Sequence, residues 1–209
     1  MRILIIDDHA AIHHGLRRIL DNDLEAATFG SALNAQEALE LLSHQSWDVV
    51  ILDISLPGRS GLDLLKQVRA DRPRLPILIF SMYPEEQYAV RALKAGASGY
   101  LAKGSPPEQL VVAIQKVQSG GRYVSPALAE KLAANVGGAQ SPEPHEILTD
   151  REFEVLHMMA SGKTQSAIAS ELSLSVKTVS TYRTRILEKL GLNATSELIR
   201  YAVDHGLDH

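Results

Sequence analysis

The chain has 209 residues, enough for one large domain or two small ones, and its 45% hydrophobic content can bury a real core. It contains no cysteine, which excludes disulfides, thiolate metal sites and a thiol nucleophile, and fits a reducing compartment. A net charge of −4 gives no hint of a polyanionic partner, so any such interaction must rest on local pattern.

Met1-Arg2 leads straight into Ile3-Leu4-Ile5-Ile6, a run too short for a signal-peptide core. No apolar run approaches the ~20 residues of a membrane span, so the expectation is a cytoplasmic protein without a membrane partner. Ile3–Ile6 reads as the first strand. The helix after it carries Ile12, Leu16, Ile19 and Leu20 on one face, and a weak strand is expected near Glu25–Phe29. Asn34, with Glu37 three residues later, caps a second helix. Val49–Leu52 is the third strand, followed by a helix marked by Leu62, Leu65 and Val68. Ile77–Phe80 is the fourth, with a helix from about Glu85 to Ala95. Ser98–Leu101 is the fifth, and Pro106-Pro107 opens a helix reaching about Ser119. Strict alternation predicts an α/β doubly wound, five-stranded parallel sheet over residues 1–120.

Gly120-Gly121 breaks this pattern, and a short helix is expected from Pro126 to Ala134. Gly137 to Pro144 reads as linker, which with its flanks gives a connecting segment over 121–146. From Leu148 onward, over 147–209, only helix patterns follow. Thr149 with Glu152 forms a capping box, Thr164 opens a short helix to Leu172, Ser175 caps a longer one to Leu190, and a last helix runs from about Thr195 to His205. This is an all-α unit of four helices, and its second and third form a helix-turn-helix layout.

The four well-marked strands of the first domain end at Asp7-Asp8, Asp53, Ser81 and Lys103. In an open parallel sheet, ligands gather beyond the carboxyl ends of the strands. Three carboxylates, a hydroxyl and an ammonium therefore converge on one cleft. Close carboxylates with only oxygen ligands favour Mg2+, and a carboxylate can itself accept a phosphoryl group. His9, His13 and His14 suggest a transition-metal site, but no further nitrogen or sulfur ligand is evident, and they are read as solvated helix residues. In the longer C-terminal helix Val179, Tyr182, Ile186 and Leu190 form an inward face. Between residues 177 and 189 there are four basic side chains and one acid. Lys177, Arg183, Arg185 and Lys189 frame the short hydroxyls of Ser180, Thr181 and Thr184, a pattern suited to a DNA major groove, with a solvated bundle face as the bland alternative.

Residues 1 to about 120 resemble a response-regulator receiver domain. The likeness rests on Ile6-Asp7-Asp8-His9, Leu52-Asp53-Ile54-Ser55-Leu56-Pro57-Gly58-Arg59-Ser60-Gly61, Phe80-Ser81 and Gly99-Tyr100-Leu101-Ala102-Lys103. It implies that Asp53 is the phosphoacceptor and Asp8 a direct Mg2+ ligand, with Asp7 acting through water and Ser55 through its backbone carbonyl. Ser81 would then bind the phosphoryl group, Lys103 would pair with its oxygens, and Tyr100 would be an aromatic switch that turns inward. Met82 stands where a small residue is common. Residues from about 148 to 207 resemble the LuxR-type helix-turn-helix of the NarL/FixJ family. This likeness rests on Leu148-Thr149-Asp150-Arg151-Glu152, Gly162-Lys163-Thr164, Ile168-Ala169, Lys177-Thr178-Val179 and Lys189-Leu190-Gly191, with Tyr182 in place of the usual histidine. Thr178 joins the expected DNA contacts on that basis. Together the two likenesses imply a non-enzymatic regulator of transcription, phosphorylated by a sensor histidine kinase, that binds double-stranded DNA as a homodimer when phosphorylated. A phosphatase of the haloacid dehalogenase kind would need a second acid where Ser55 stands. A nucleotide-binding module would need a glycine-rich loop after the first strand. A DNA-binding protein with an unphosphorylated receiver remains a further alternative, against which the complete acidic set argues.

Overall fold

Five short runs form one parallel sheet: β1 (Arg2–Ile6), β2 (Thr28–Ala32), β3 (Val49–Leu52), β4 (Ile77–Ser81) and β5 (Gly99–Ala102). Their order is β2-β1-β3-β4-β5. The chain reverses its direction of travel across the sheet between β1 and β3, which puts the topological switch point at their carboxyl ends. Between and after the strands lie α1 (Ala10–Asp23), α2 (Ala35–His44), α3 (Gly61–Asp71), α4 (Glu85–Lys94), α5 (Pro107–Gln118) and α6 (Pro126–Asn135). The computed structural model describes residues 1–24, 26–135 and 143–207. It divides into two units, Met1–Gly137 and Gly138–His209.

Side chains alternate across the sheet because successive residues of a strand point to opposite faces. Ile3, Ile5, Val49, Ile51, Leu78 and Phe80 pack with Leu16, Leu20, Leu110, Ile114 and Val117 of α1 and α5. Their strand neighbours Leu4, Ile6, Val50, Leu52 and Ile79 are equally buried, which is why these strands read as unbroken apolar runs. The second strand starts three residues later than its sequence suggested, pairing Arg2 with Thr28 through Ile6 with Ala32. Its signal is weak because Trp47 lies against it: a Cβ at Gly30 would overlap the indole ring. Asn34 caps α2, accepting the Glu37 N–H at 3.0 Å.

The second unit begins, among the described residues, with a 3-10 turn at Pro144–Ile147, followed by α7 (Asp150–Ala160), α8 (Gln165–Glu171), α9 (Val176–Leu190) and α10 (Thr195–Asp204). Of the expected linker Gly137–Pro144, residues 137–142 lie outside the described residues. Thr149, Thr164 and Ser175 each cap a helix by accepting a backbone N–H three residues on. Gly191 ends α9 at φ 67°, the left-handed conformation that glycine reaches without steric cost. Phe153, Leu156, Ile168, Val179, Ile186, Leu198 and Ala202 supply the core.

Candidate functional site

The ends of β1 and β3 are tied together by the backbone, Asp53 N–H donating to the Ile6 carbonyl at 2.9 Å. Asp7 and Asp53 therefore sit side by side, each with a side chain only 3% exposed. Lys103, which follows β5, reaches back between them: its Nζ is 2.6 Å from Asp7 Oδ2 and 2.8 Å from Asp53 Oδ2. The other Asp53 oxygen accepts the Ile54 N–H at 2.8 Å. Burial pushes the Asp53 carboxyl above the usual range and the Asp7 charge adds to this; Lys103 and the Ser81 hydroxyl offset only part. Burial pulls the Lys103 ammonium down, but the two carboxylates outweigh it and its pKa is raised.

Asp8 lies at the rim beside His9, whose Nδ1 is 2.7 Å from Asp8 Oδ1 and 3.3 Å from Asp7 Oδ1. Despite that proximity Asp8 Oδ1 is a buried acceptor with no well-formed hydrogen bond among the described residues. Ligand atoms of Asp7, Asp8 and His9 all fall within 4.8 Å of one another. An oxygen-rich cluster with an unsatisfied carboxylate oxygen fits a hard divalent cation. Of the three histidines expected to be solvated, His9 and His14 are exposed and His13 is not. His9 belongs to this cluster, and His13 is buried, its Nε2 2.7 Å from the Asp7 carbonyl oxygen, because its helical position points at the end of β1.

Ser81 ends β4 with its side chain buried, and its Oγ accepts the Tyr83 N–H at 3.4 Å. Tyr100 on β5 is fully buried and donates its hydroxyl to the Tyr83 carbonyl at 2.7 Å. It therefore already lies inward. Ser55, two residues past Asp53, has its Oγ 3.4 Å from Tyr83 Oη, and Met82 is 77% exposed. Gly61 is a site residue whose role the sequence alone did not reveal. Its N–H donates to Ile54 O at 2.7 Å, and a Cβ there would overlap the Asp53 carbonyl oxygen. The loop can close over the acid only because that side chain is missing.

In the helical unit, Lys177, Thr181, Thr184 and Arg185 are exposed along one side of α9, with Thr178 and Ser180 half-buried. Thr181 and Thr184 donate to the carbonyls of Lys177 and Ser180 at 3.0 and 3.1 Å, and Thr178 Oγ1 is 2.8 Å from Ser175 Oγ. Lys177 and Arg185 have no ion-pair partner among the described residues. Two other cations are engaged. Arg183 donates to Thr195 Oγ1 at 2.9 Å, and Lys189 Nζ is 2.6 Å from Glu152 Oε2.

A 2-1-3-4-5 sheet with this acid–lysine cleft, carried on one chain with a helix-turn-helix, defines a phosphorylation-controlled DNA-binding regulator. Residues 3–115 match the response regulator receiver domain and residues 146–202 the bacterial regulatory proteins of the luxR family. Response regulator UvrY of Escherichia coli is 32% identical over 208 residues, 99% of this chain and 95% of that protein. Oxygen regulatory protein NreC of Staphylococcus aureus is 36% identical over 210 residues, 97% of each. The structure of RcsB from Salmonella enterica serovar Typhimurium, bound to promoter rprA in the presence of phosphomimetic BeF3-, superposes with a TM-score of 0.64. It is 27% identical and covers 96% of this chain and 98% of that one. The chain belongs to the NarL/FixJ family of response regulators, DNA-binding regulators of transcription whose receiver domain implies a histidine kinase partner. No helix among the described residues is long and apolar enough to cross a membrane.

Proposed function

We propose that Asp53 is the phosphoacceptor, loaded by a partner histidine kinase, and that phosphorylation switches homodimer formation and sequence-specific DNA binding in the cytoplasm. The observation that carries this reading is the Lys103 ammonium bridging two buried carboxylates at 2.6 and 2.8 Å. An Asp53 carboxylate oxygen attacks phosphorus, and the bond from phosphorus to the kinase histidine breaks as the acyl phosphate forms. Lys103 leaves Asp53 for the new phosphoryl oxygens, and Ser81 donates its hydroxyl to another. Asp7, Asp8 and Asp53, with the Ser55 backbone carbonyl, would hold Mg2+, which when bound offsets the charge of the carboxylates and the phosphoryl group. Nothing in this scheme requires turnover of a substrate, and the protein acts as a switch rather than an enzyme. Tyr100 reports the state of Ser81 to the surface of α4, β5 and α5.

Residues 121–146 connect the receiver domain to the DNA-binding domain in this reading. Lys177 and Arg185 bind phosphates directly, Arg183 and Lys189 do so on leaving Thr195 and Glu152, and Thr178, Ser180, Thr181 and Thr184 face the base edges. The test is intact mass after incubation with Mg2+ and acetyl phosphate. The native chain gains one phosphoryl group and Asp53→Asn gains none; equal uptake by the variant overturns the assignment.

A further inference from the structure

Past α5 the chain stays on the receiver sheet. Tyr123 forms a parallel bridge with Gly99 on the outer edge of β5. Its N–H donates to Ser98 O at 3.0 Å, and its carbonyl accepts the N–H of Tyr100 itself at 3.1 Å. This approach requires glycine at position 99, where a Cβ would stand 2.7 Å from the Tyr123 carbonyl oxygen. The Tyr123 ring is buried in the core cluster that holds Leu78, Leu101 and Val117. Two residues later the Ser125 N–H donates to Glu85 Oε1 at 3.0 Å. Ser125 in turn caps α6, accepting the Leu128 N–H on its Oγ at 3.1 Å and the Ala129 N–H on its carbonyl at 3.0 Å. Glu85 is the first residue of α4, four positions after Ser81. The segment is thus fastened to both elements around Tyr100, to β5 by backbone and to α4 by one carboxylate.

A carboxylate accepting a backbone N–H is a charge-assisted bond, stronger than a neutral one and confined to a narrow range of distance. If α4 moves relative to β5 when Ser81 turns to a phosphoryl group, the Glu85 and Tyr100 bonds cannot both keep their length. Such a movement would load both fastenings at once, which places the segment where a two-state element could carry the coupling.

We infer that residues 122–129 form a latch between the receiver and the chain leading to the DNA-binding unit, with Glu85 as its positioning residue. The inference rests on phosphorylation at Asp53, and the test separates the two. In the full-length chain, Glu85→Ala removes the acceptor, whereas Glu85→Gln keeps an oxygen at the same place. Three quantities are read: phosphoryl uptake from acetyl phosphate by intact mass, hydrogen exchange of the 122–129 amides, and the ratio of DNA affinities with and without phosphorylation. The DNA is a duplex selected from a random pool by the phosphorylated native protein. Glu85→Ala should take up phosphate like the native chain and exchange the Ser125 and Leu128 amides faster. It should also lose roughly fivefold of the affinity ratio, the lower end of ordinary allosteric coupling. Glu85→Gln should restore most of both. An unchanged ratio or unchanged exchange in Glu85→Ala overturns the latch while leaving the phosphoacceptor intact. Absence of uptake by the native chain overturns both.

Discussion

Gly61 bears on the placement of Asp53 through backbone contact alone. It opens α3, where alanine has the better helix propensity, so local preference alone expects Gly61→Ala to stabilise. The structure gives the opposite sign, because the added Cβ would overlap the Asp53 carbonyl oxygen and no flexible side chain is there to give way. Overpacking against backbone should cost about 1–3 kcal/mol in the receiver, measured by urea unfolding, together with slower phosphoryl uptake as the acid is displaced. A variant as stable and as readily phosphorylated as the native chain would show that the loop can relax. The acids themselves were legible in the sequence because each ends a buried apolar run. Gly61 appeared only as one letter of a motif, since nothing in its neighbours announces a carbonyl oxygen from eight positions earlier.

Among the helices, α7 carries the clearest electrostatic signature. Its capping box has the Thr149 side chain accepting the Glu152 N–H and Glu152 accepting the Thr149 N–H at 2.8 Å. Lys189 of α9 closes on the same carboxylate. Burial alone would raise the Glu152 pKa, but the bonds from Lys189 and Thr149 outweigh it and hold it below the ordinary range. An acid with a depressed folded pKa adds stability above its unfolded value, about 4.3, and loses it as pH falls through the folded one. Glu152→Gln should therefore unfold at lower denaturant than the native chain at pH 7, with the gap closing below about pH 4. Thermal or urea melts across that window check it, and a gap independent of pH would mean that the loss is one of packing. Replacing Thr149 by Ala removes the cap and should cost about 1 kcal/mol. The box was readable three residues apart; the Lys189 contact was not, because its partner lies in a different helix with no periodic signal to link them. β2 was mislocated for a related reason: Gly30 at its centre answers to Trp47, which lies far along the chain, and not to a local pattern.

For the whole molecule, the charge balance separates two kinds of interaction. With a net charge of −4, the overall charge supplies no general attraction for DNA, and on the function proposed above binding depends on the cations of α9. Lys177→Ala or Arg185→Ala should lower the salt slope by about one unit and weaken random and selected duplexes alike. Arg183→Ala and Lys189→Ala should change the slope less, since those cations are engaged by Thr195 and Glu152 and would have to give up these partners to reach phosphate. Equal slopes for all four variants would refute that ranking. Moving the receiver from nearly all inactive to nearly all active takes ~5.5 kcal/mol of differential stabilisation, and sedimentation with and without phosphorylation should show it as a gain of dimer. The Tyr123 bridge also has a consequence for the integrity of the sheet. Parallel sheets leave open backbone groups at their two outer strands, where a second chain can add. Here the outer side of β5 is occupied at Ser98 and Tyr100 by Tyr123, a residue beyond the last one matched to the receiver family, at 115. A receiver trimmed at the end of α5 would bare the Tyr100 N–H and a glycine-floored strip beside it. Such a fragment would be prone to strand-to-strand association, and a self-association measured on it would belong to the cut edge rather than to the protein.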